Sequence, residues 1–277
     1  MTCRILAIVL VACLFSAVAI ATPPATVAQN EATSPFASDA EAIDFLRNAE
    51  VVSMEIIPGG VTKPRKVLLE LDGVSAHAVF RDVELSKDRV WLNDGTFHMR
   101  LRDSALFEVA AYRLAVLLGL DSVPPVVRRT IDNSRGSLQL WVENALPERT
   151  RRERGMRPPD RSRWLAQMRV MALFDVLVGN VDRHLGNYLL DAKGKLWMID
   201  HTRAFQMFVR NWTPGRIAFV DRELWERLQA LDAETLERTL GDVLTPFEIN
   251  KLVKRLDGVL KHVRDQIATR GERDVII

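Results

Sequence analysis

Short apolar runs broken by glycine and aspartate fill the first half of the chain, whereas apolar positions in the second half recur every three or four residues. The first pattern is typical of β-strands and the second of amphipathic helices. Asp72-Gly73, between two of the runs, is a strong hairpin signal. The elements predicted for this half are a helix at Asp39–Ala49 capped by Ser38 or Asp39, strands at Val51–Ile57, Lys66–Leu71 and Ala76–Val83, a helix at Ser104–Leu118, and strands at Val123–Val127 and Ser137–Val142.

From Trp164 onward the pattern predicts mainly helices. A buried apolar stripe leads from Trp164 to Leu177, and a hairpin follows, because two short apolar runs flank the turn sequence D-A-K-G-K. The chain therefore predicts an α+β fold with two lobes, a small β-rich N-terminal lobe with one helix and a mostly helical C-terminal lobe. The elements predicted here are the hairpin strands Tyr188–Leu190 and Leu196–Ile199, helices at Asp221–Leu231 and Ala233–Leu240, and a last helix that starts at the capping box T-P-F-E of residues 245–248.

Three oxygen-bearing side chains lie in one loop-hairpin stretch, which is the most informative part of the sequence. Asp182, Asn187 and Asp200 match the needs of phosphoryl transfer. One carboxylate orients the attacking hydroxyl, while an amide oxygen and a second carboxylate hold a divalent metal on the nucleotide phosphates. We therefore predict Asp182 as the catalytic carboxylate, and Asn187 and Asp200 as ligands of Mg²⁺ or Mn²⁺.

Arg183 and His184 follow the catalytic carboxylate and have two possible roles. They either hold the loop through hydrogen bonds or contact substrate or phosphate directly. Asp175 lies in an apolar stripe, and a lone buried charge is unfavourable, so we expect it to pair with Arg183 or His184. Asn180 is expected to brace the same loop.

The motif D-R-H-x-x-N at residues 182–187, followed by I-D-H at 199–201, resembles the atypical kinases: the phosphatidylinositol 3-/4-kinases, actin-fragmin kinase and the HipA-type toxin kinases. The longer string F-D-V-L-V-G-N-V-D-R-H is most similar to the secretory-pathway kinases related to four-jointed. F-E-V-A-A-Y-R-L-A-V-L-L-G-L from Phe107, with the V-P-P-V-V that follows, is similar to the regulatory helix and next strand of that family. G-S-L-Q-L-W-V-E from Gly136 is similar to its hinge strand. The likeness covers about residues 51–210.

The resemblance implies a two-lobed kinase-like fold that uses ATP with a divalent metal. It also implies that Glu108 pairs with the cation that binds phosphate. The likeness of A-V-F-R-D at 78–82 places Arg81 where those kinases have lysine, and the two residues are not interchangeable. Lys66, with Lys63 and Arg65, is a candidate to share the role. Gly59-Gly60 between early strands is either a loop over the phosphates or an ordinary turn.

The substitution at Arg81 leaves two functions open. One is a phosphotransferase that moves the γ-phosphoryl group of ATP to a hydroxyl of a protein, sugar or lipid. The other is an exported pseudokinase that binds a nucleotide or a partner without turnover. Residues 147–163 hold seven arginines and form either a solvated loop or a site for an acidic acceptor between Arg149 and Arg163.

Composition adds few constraints. The chain has 277 residues, enough for two lobes with an ample core, and its net charge of +2 gives no case for nucleic-acid binding. Both cysteines, Cys3 and Cys13, lie in the N-terminal apolar segment, so a chain cleaved after Ala21 has no cysteine. The predicted organisation is a signal peptide at 1–21, a disordered linker at 22–38, a nucleotide-binding lobe at 39–144 and a catalytic lobe at 145–277.

The N-terminal segment predicts export to the periplasm, the secretory-pathway lumen or the exterior. Two alternatives remain open: an uncleaved membrane anchor, and lipidation at Cys13. The membrane is a partner only if the segment is retained.

Overall fold

The computed structural model describes residues 34–59, 62–91, 95, 97–209, 212 and 214–277. Those residues belong to one compact unit, Glu31–Ile277. The predicted signal peptide, most of the predicted linker and Gly60 lie outside the described residues.

The N-terminal region is built on a five-stranded antiparallel sheet of order β1-β2-β3-β7-β6. Ser38 caps the first helix, because its side chain accepts a hydrogen bond from the backbone N–H of Glu41. It is one of the two residues predicted for this role. The elements are α1 (Asp39–Asn48), β1 (Glu50–Ile56), β2 (Arg65–Leu71), β3 (Val74–Arg81), β4 (Glu84–Trp91), β5 (Phe97–Ser104), α2 (Leu106–Leu117), β6 (Val126–Ile131) and β7 (Ser134–Leu140).

The two faces of this sheet have different partners. Phe80, Leu138 and Val127 are paired across β3, β7 and β6, and they form a core with Phe45 and Leu46 of α1. Successive side chains of a strand point to opposite faces. Arg81 therefore points away from α1, to the face on which it meets Glu108 of α2.

Two differences from the predicted elements have clear physical causes. The strand predicted at Val123–Val127 begins only at Val126, because Pro124 and Pro125 have no N–H to donate to a sheet. The β4–β5 hairpin was not predicted. It forms a separate two-stranded sheet in which the β4 side chains are mostly exposed, so the β4 sequence lacks a clear buried face.

The C-terminal region is mainly helical, as predicted. Helix α4 ends at Gly179, whose φ of 62° is the left-handed conformation that favours glycine at a helix end. The predicted capping box of Thr245 and Glu248 is present at the start of α7. The elements are β8 (Ala145–Pro147), α3 (Glu148–Glu153), α4 (Arg161–Val178), β9 (Tyr188–Asp191), β10 (Leu196–Met198), α5 (Arg222–Ala230), α6 (Ala233–Leu240) and α7 (Pro246–Arg270), with short 3-10 turns at Pro214–Arg216 and Glu272–Asp274.

Arg255 of α7 is buried against the end of α4. Its guanidinium donates to the carbonyl oxygens of Leu177 at 2.8 Å, Gln206 at 3.0 Å and Val178 at 3.3 Å. Burial lowers the pKa of Arg255 to about 10. A cation at the carbonyl end of α4 complements the helix dipole, so Arg255 fixes the point at which the chain leaves this helix. Within the described residues, no helix has the length and apolar character needed to cross a membrane.

Candidate active site

The candidate catalytic loop runs from the end of α4 to the hairpin of β9 and β10. The hairpin lies where it was predicted, with Leu196 paired to Leu190 and Met198 to Tyr188. It returns the chain to Asp200, which directly follows Ile199, and the backbone N–H of Ile199 donates to the carbonyl of Asn187 at 3.2 Å. The loop and Asp200 are thus held against each other by a short rigid element.

Arg183 is the centre of the loop. Its guanidinium donates to Asp175 at 2.9 Å, to the carbonyl oxygens of Asn187 and, at 2.8 Å, Ile199, and its Nη2 lies 3.0 Å from Nε2 of His201. The predicted pairing of Asp175 is confirmed, with Arg183 as its partner. Because these contacts occupy the guanidinium, Arg183 positions the loop rather than facing substrate.

Two asparagines complete the loop. Asn180 donates to Asp175 at 2.9 Å and accepts from the backbone N–H of Asp182 at 3.0 Å, so it braces the loop as expected. Asn187 is buried and donates its amide N–H to the carbonyl of Asp182 at 2.9 Å. This bond leaves the amide oxygen of Asn187 as the group with which it can bind a cation.

The carboxylate of Asp182 is held by a residue that the sequence did not single out. Arg203 Nη1 donates to Asp182 Oδ2 at 3.0 Å, and Arg203 Nε donates to Asp103 Oδ2 at 2.8 Å. Asp103 lies near the end of β5, so Arg203 joins the β4–β5 hairpin to the catalytic loop. The partners are 21 and 100 positions apart, and no local pattern indicates such pairs.

Burial raises the pKa of the Asp182 carboxyl above its ordinary value. The negative charges of Asp200 and Asp103 act in the same direction, while Arg203 and His184 oppose them. A raised pKa makes a carboxylate a stronger proton acceptor, which suits a general base. The influence of Asp200 also shows that the two aspartates share one site.

Asp200 has a φ of 57°, a left-handed backbone that few non-glycine residues adopt. Residues held in such a conformation cluster at functional sites, where the surrounding structure offsets the strain. Asp200 Oδ1 accepts from the hydroxyl of Thr202 at 3.2 Å. His184 is exposed, and its Nδ1 accepts from the N–H of Gly186 at 3.0 Å.

The donor set of Asn187 and Asp200 fits magnesium or manganese bound together with a nucleotide. Among the described residues, no group of three or more His, Cys, Asp or Glu side chains is arranged to hold a metal. A magnesium ion on a nucleotide needs only one or two carboxylates, because phosphates and waters fill its remaining positions. An amide oxygen and a carboxylate are therefore a donor set compatible with such an ion.

A buried charged cluster lies beside the loop. Glu108 Oε1 lies 3.6 Å from Arg81 Nε, and Glu108 Oε2 lies 3.4 Å from His201 Nδ1. Burial by itself raises the pKa of Glu108, but Arg81 and His201 outweigh it and hold the pKa below its ordinary value. The contacts are too long for good hydrogen bonds, and Arg81 Nε, Arg81 Nη1 and both Glu108 oxygens lack a hydrogen-bond partner among the described residues. Most buried polar groups have a hydrogen-bond partner, so this loosely paired cluster is unusual.

The other candidate nucleotide residues lie at the same end of the sheet as Arg81, because Lys66 pairs with Val79 in β3. Lys66 Nζ lies 4.7 Å from the centre of the ring of Trp141, the residue that directly follows β7. Arg65 is engaged with Asp82 and so does not substitute for Arg81. Gly59 lies in the β1–β2 turn with a φ of 82°, which favours glycine.

The arginine-rich segment divides into structural and exposed residues. Arg151 and Arg152 bind the buried Glu148, and Arg163 donates to the carbonyl of Lys193. The remaining exposed arginines are Arg149, Arg154, Arg157 and Arg161. The backbone N–H of Arg149 donates to the carbonyl of Leu185 at 2.8 Å, so this segment borders the catalytic loop.

Comparison with known proteins shows the class of fold. The family model for phosphatidylinositol 3- and 4-kinase matches residues 129–254, which include the loop and Asp200. Among curated protein sequences, none matches the chain.

Three solved structures are similar across most of the chain. A hydra Fam20 with sugar shares 18% identity over 87% of this chain and 93% of its own, with a TM-score of 0.63. The Golgi casein kinase with Mn/ADP bound shares 15% identity over 86% of this chain and 78% of its own, with a TM-score of 0.59. The Helicobacter pylori proinflammatory kinase CtkA shares 12% identity over 81% of this chain and 98% of its own, with a TM-score of 0.51. The chain therefore has an atypical kinase-like fold, and the predicted fold class is confirmed.

Proposed function

We propose that this chain is an ATP- and divalent-metal-dependent phosphotransferase that transfers the γ-phosphoryl group to a hydroxyl acceptor. The observation that carries the proposal is the shared network of Asp182, Asn187 and Asp200. The amide of Asn187 binds the backbone of Asp182, and the charges of Asp182 and Asp200 influence each other. A structural loop has no need for this combination of oxygen donors.

One side chain of the site transfers a proton, and the others position the reacting groups. Asp182 accepts the proton of the acceptor hydroxyl as the new O–P bond forms and the bond from Pγ to the ADP oxygen breaks. Arg203 holds one carboxylate oxygen of Asp182, which orients the other toward the acceptor. Asn187 and Asp200 hold magnesium or manganese, which neutralises charge on the phosphates.

The small lobe supplies the nucleotide contacts. Arg81, which forms the buried ion pair with Glu108, is the proposed phosphate-binding cation. Lys66, Gly59 and Gly60 complete the proposed nucleotide side. We propose that the acceptor carries negative charge and contacts the exposed arginines between Arg149 and Arg163. The apolar N-terminal segment favours action outside the cytosol, with membrane anchorage as the alternative.

Arg81 favours a second candidate function, a pseudokinase that binds nucleotide without turnover. A guanidinium is planar and bulkier than an ammonium, so it does not reproduce the geometry of a lysine at a phosphate. A turnover assay with ATP and manganese separates the two functions. Asp182→Asn should lower turnover by about 10²-fold or more, the scale of a lost general base, while nucleotide affinity stays near that of wild type.

Asp257→Asn, an exposed carboxylate change on α7, is the matched control and should leave turnover unchanged. Arg81→Lys should hold or raise the rate. The pseudokinase function stands if wild type binds ATP with metal, yet neither it nor Arg81→Lys transfers phosphate or hydrolyses ATP. If Asp182→Asn retains wild-type turnover, the loop does not perform this chemistry.

A further inference from the structure

A cavity of about 530 Å³ lies on the small lobe, between the start of α2 and the β6–β7 hairpin. Its walls include Leu106 of α2 and Arg128, Thr130 and Arg135 of the hairpin. None of the residues proposed for catalysis or metal binding lines it. Its volume is within the range of small-molecule sites, which is about 300–1,000 Å³.

The charge on the cavity walls is positive. Arg128 and Arg135 lie on the α2 side of the sheet and line the cavity, and no described carboxylate lies within ion-pairing distance of either. Glu84 also lines the cavity, but its two oxygens are bound by Arg102 at 2.8 Å and by the hydroxyl of Ser104 at 2.6 Å. Glu84 is therefore held by groups other than the arginines that line the cavity.

The arginines of the β6–β7 hairpin point to different faces of the sheet. The Arg129 guanidinium donates to the carbonyl oxygens of Leu46 and Ala49, so it lies on the α1 face and not in the cavity. Arg128 lies 3.5 Å from the carbonyl of Asp242, whose carboxylate is bound by Arg113. Arg135 is exposed and sits opposite Thr130 in the β6–β7 register.

We propose that this cavity binds a small polyphosphorylated molecule. Guanidinium groups match phosphate oxygens in charge and in paired donor geometry. The two guanidinium groups of Arg128 and Arg135 favour a ligand with more than one phosphate, and the Thr130 hydroxyl on the same face adds a neutral donor.

The position of the cavity gives its occupant a route to the proposed active site. Leu106 lies two residues before Glu108 on α2. Gly136 also lines the cavity, and a Cβ at that position would meet the carbonyl oxygen of Arg81 at 2.0 Å. The walls thus include α2, which carries Glu108, and β7, which pairs with β3 at Arg81.

Isothermal titration of the purified chain with sodium tripolyphosphate, without nucleotide or divalent metal, tests the proposal. We expect one binding site whose affinity falls as salt rises, because phosphate binding releases counterions. Arg128→Gln/Arg135→Gln should weaken binding at least about tenfold, or about 1.4 kcal/mol. Thr130→Trp should weaken it by filling the cavity while leaving every charge in place.

The control Arg264→Gln/Arg273→Gln removes the same charge from exposed positions remote from the cavity, and should change affinity less than about twofold. The proposal is overturned by an absence of saturable binding to wild type, or by unchanged affinity in either cavity variant. An equal loss in the control also overturns it, because binding would then reflect overall charge. Binding of tripolyphosphate at the proposed nucleotide site would be unchanged in both cavity variants, so the assay distinguishes failure of this proposal from failure of the proposed phosphotransferase activity.

Discussion

Replacing Arg203 by methionine tests the link between the hairpin and the catalytic loop. Arg203 bridges Asp103 at 2.8 Å and Asp182 at 3.0 Å. The variant retains the length and apolar stem of the side chain but removes both contacts. Asp103 is buried, and its Oδ1 already lacks a hydrogen-bond partner among the described residues. The change therefore leaves a buried carboxylate with no compensating charge.

The expected loss of stability follows from burial. Breaking a fully buried ion pair costs about 3–5 kcal/mol, whereas an exposed pair contributes about 0–1 kcal/mol. The side chains of Arg203 and Asp182 are 21% and 29% exposed and that of Asp103 is 6% exposed, so solvent screens one of the two contacts. We expect Arg203→Met to lower the free energy of unfolding by about 2–3 kcal/mol.

Urea unfolding at neutral pH measures this change. Asp103→Asn in the same chain removes the orphaned charge, so the double variant should be more stable than the sum of the single effects predicts, by about 1 kcal/mol or more. Arg222→Met breaks the exposed pair with Glu272 and should change stability by less than about 0.5 kcal/mol. A loss in Arg203→Met no larger than this control, or strictly additive single effects, would refute the argument.

Three further predictions concern stability. Arg255→Met removes the guanidinium donors to the carbonyls of Leu177, Val178 and Gln206 and should lower the free energy of unfolding by about 3 kcal/mol, whereas Arg264→Met should change it by less than about 0.5 kcal/mol. Burial raises the pKa of Glu148, but Arg151 and Arg152 outweigh this effect and hold the pKa below its ordinary value. The contribution of Glu148 to the free energy of unfolding is therefore full above its unfolded pKa of about 4.3, and it is lost as pH falls through the lower folded pKa. The stability gap between wild type and Glu148→Gln should therefore shrink in urea titrations as pH falls below about 4. Gly136→Ala should lower thermal stability by several degrees, because its Cβ would meet the carbonyl oxygen of Arg81 at 2.0 Å, and an unchanged melting temperature would contradict this.

Much of the fold could be predicted because its signals are local. The helical spacing from Ala105 to Leu118 anticipated α2, and the T-P-F-E capping box marked the start of α7. The pairing of Asp175 followed from the high free energy of a lone buried charge, which requires a nearby partner. These inferences needed only neighbouring residues and general energetics.

The features that were missed depend on contacts between distant parts of the chain. Arg203 was not singled out from the sequence, because its partner Asp103 lies 100 positions earlier. The β4–β5 hairpin is stabilised at its base by contacts such as that of Arg102 with Glu248, 146 positions away. Its own sequence has no continuous apolar face, so periodicity alone could not reveal it.

Nucleotide affinity with and without manganese is the most direct test of the proposed function. Wild type should bind ATP at least about tenfold more tightly in manganese than in chelator, a difference of about 1.4 kcal/mol. Asp200→Ala should abolish this difference, and the exposed control Asp257→Ala should retain it. Equal ATP affinity in manganese and chelator, with Asp200→Ala binding as tightly as wild type, would contradict the assignment of Asn187 and Asp200 as a metal site.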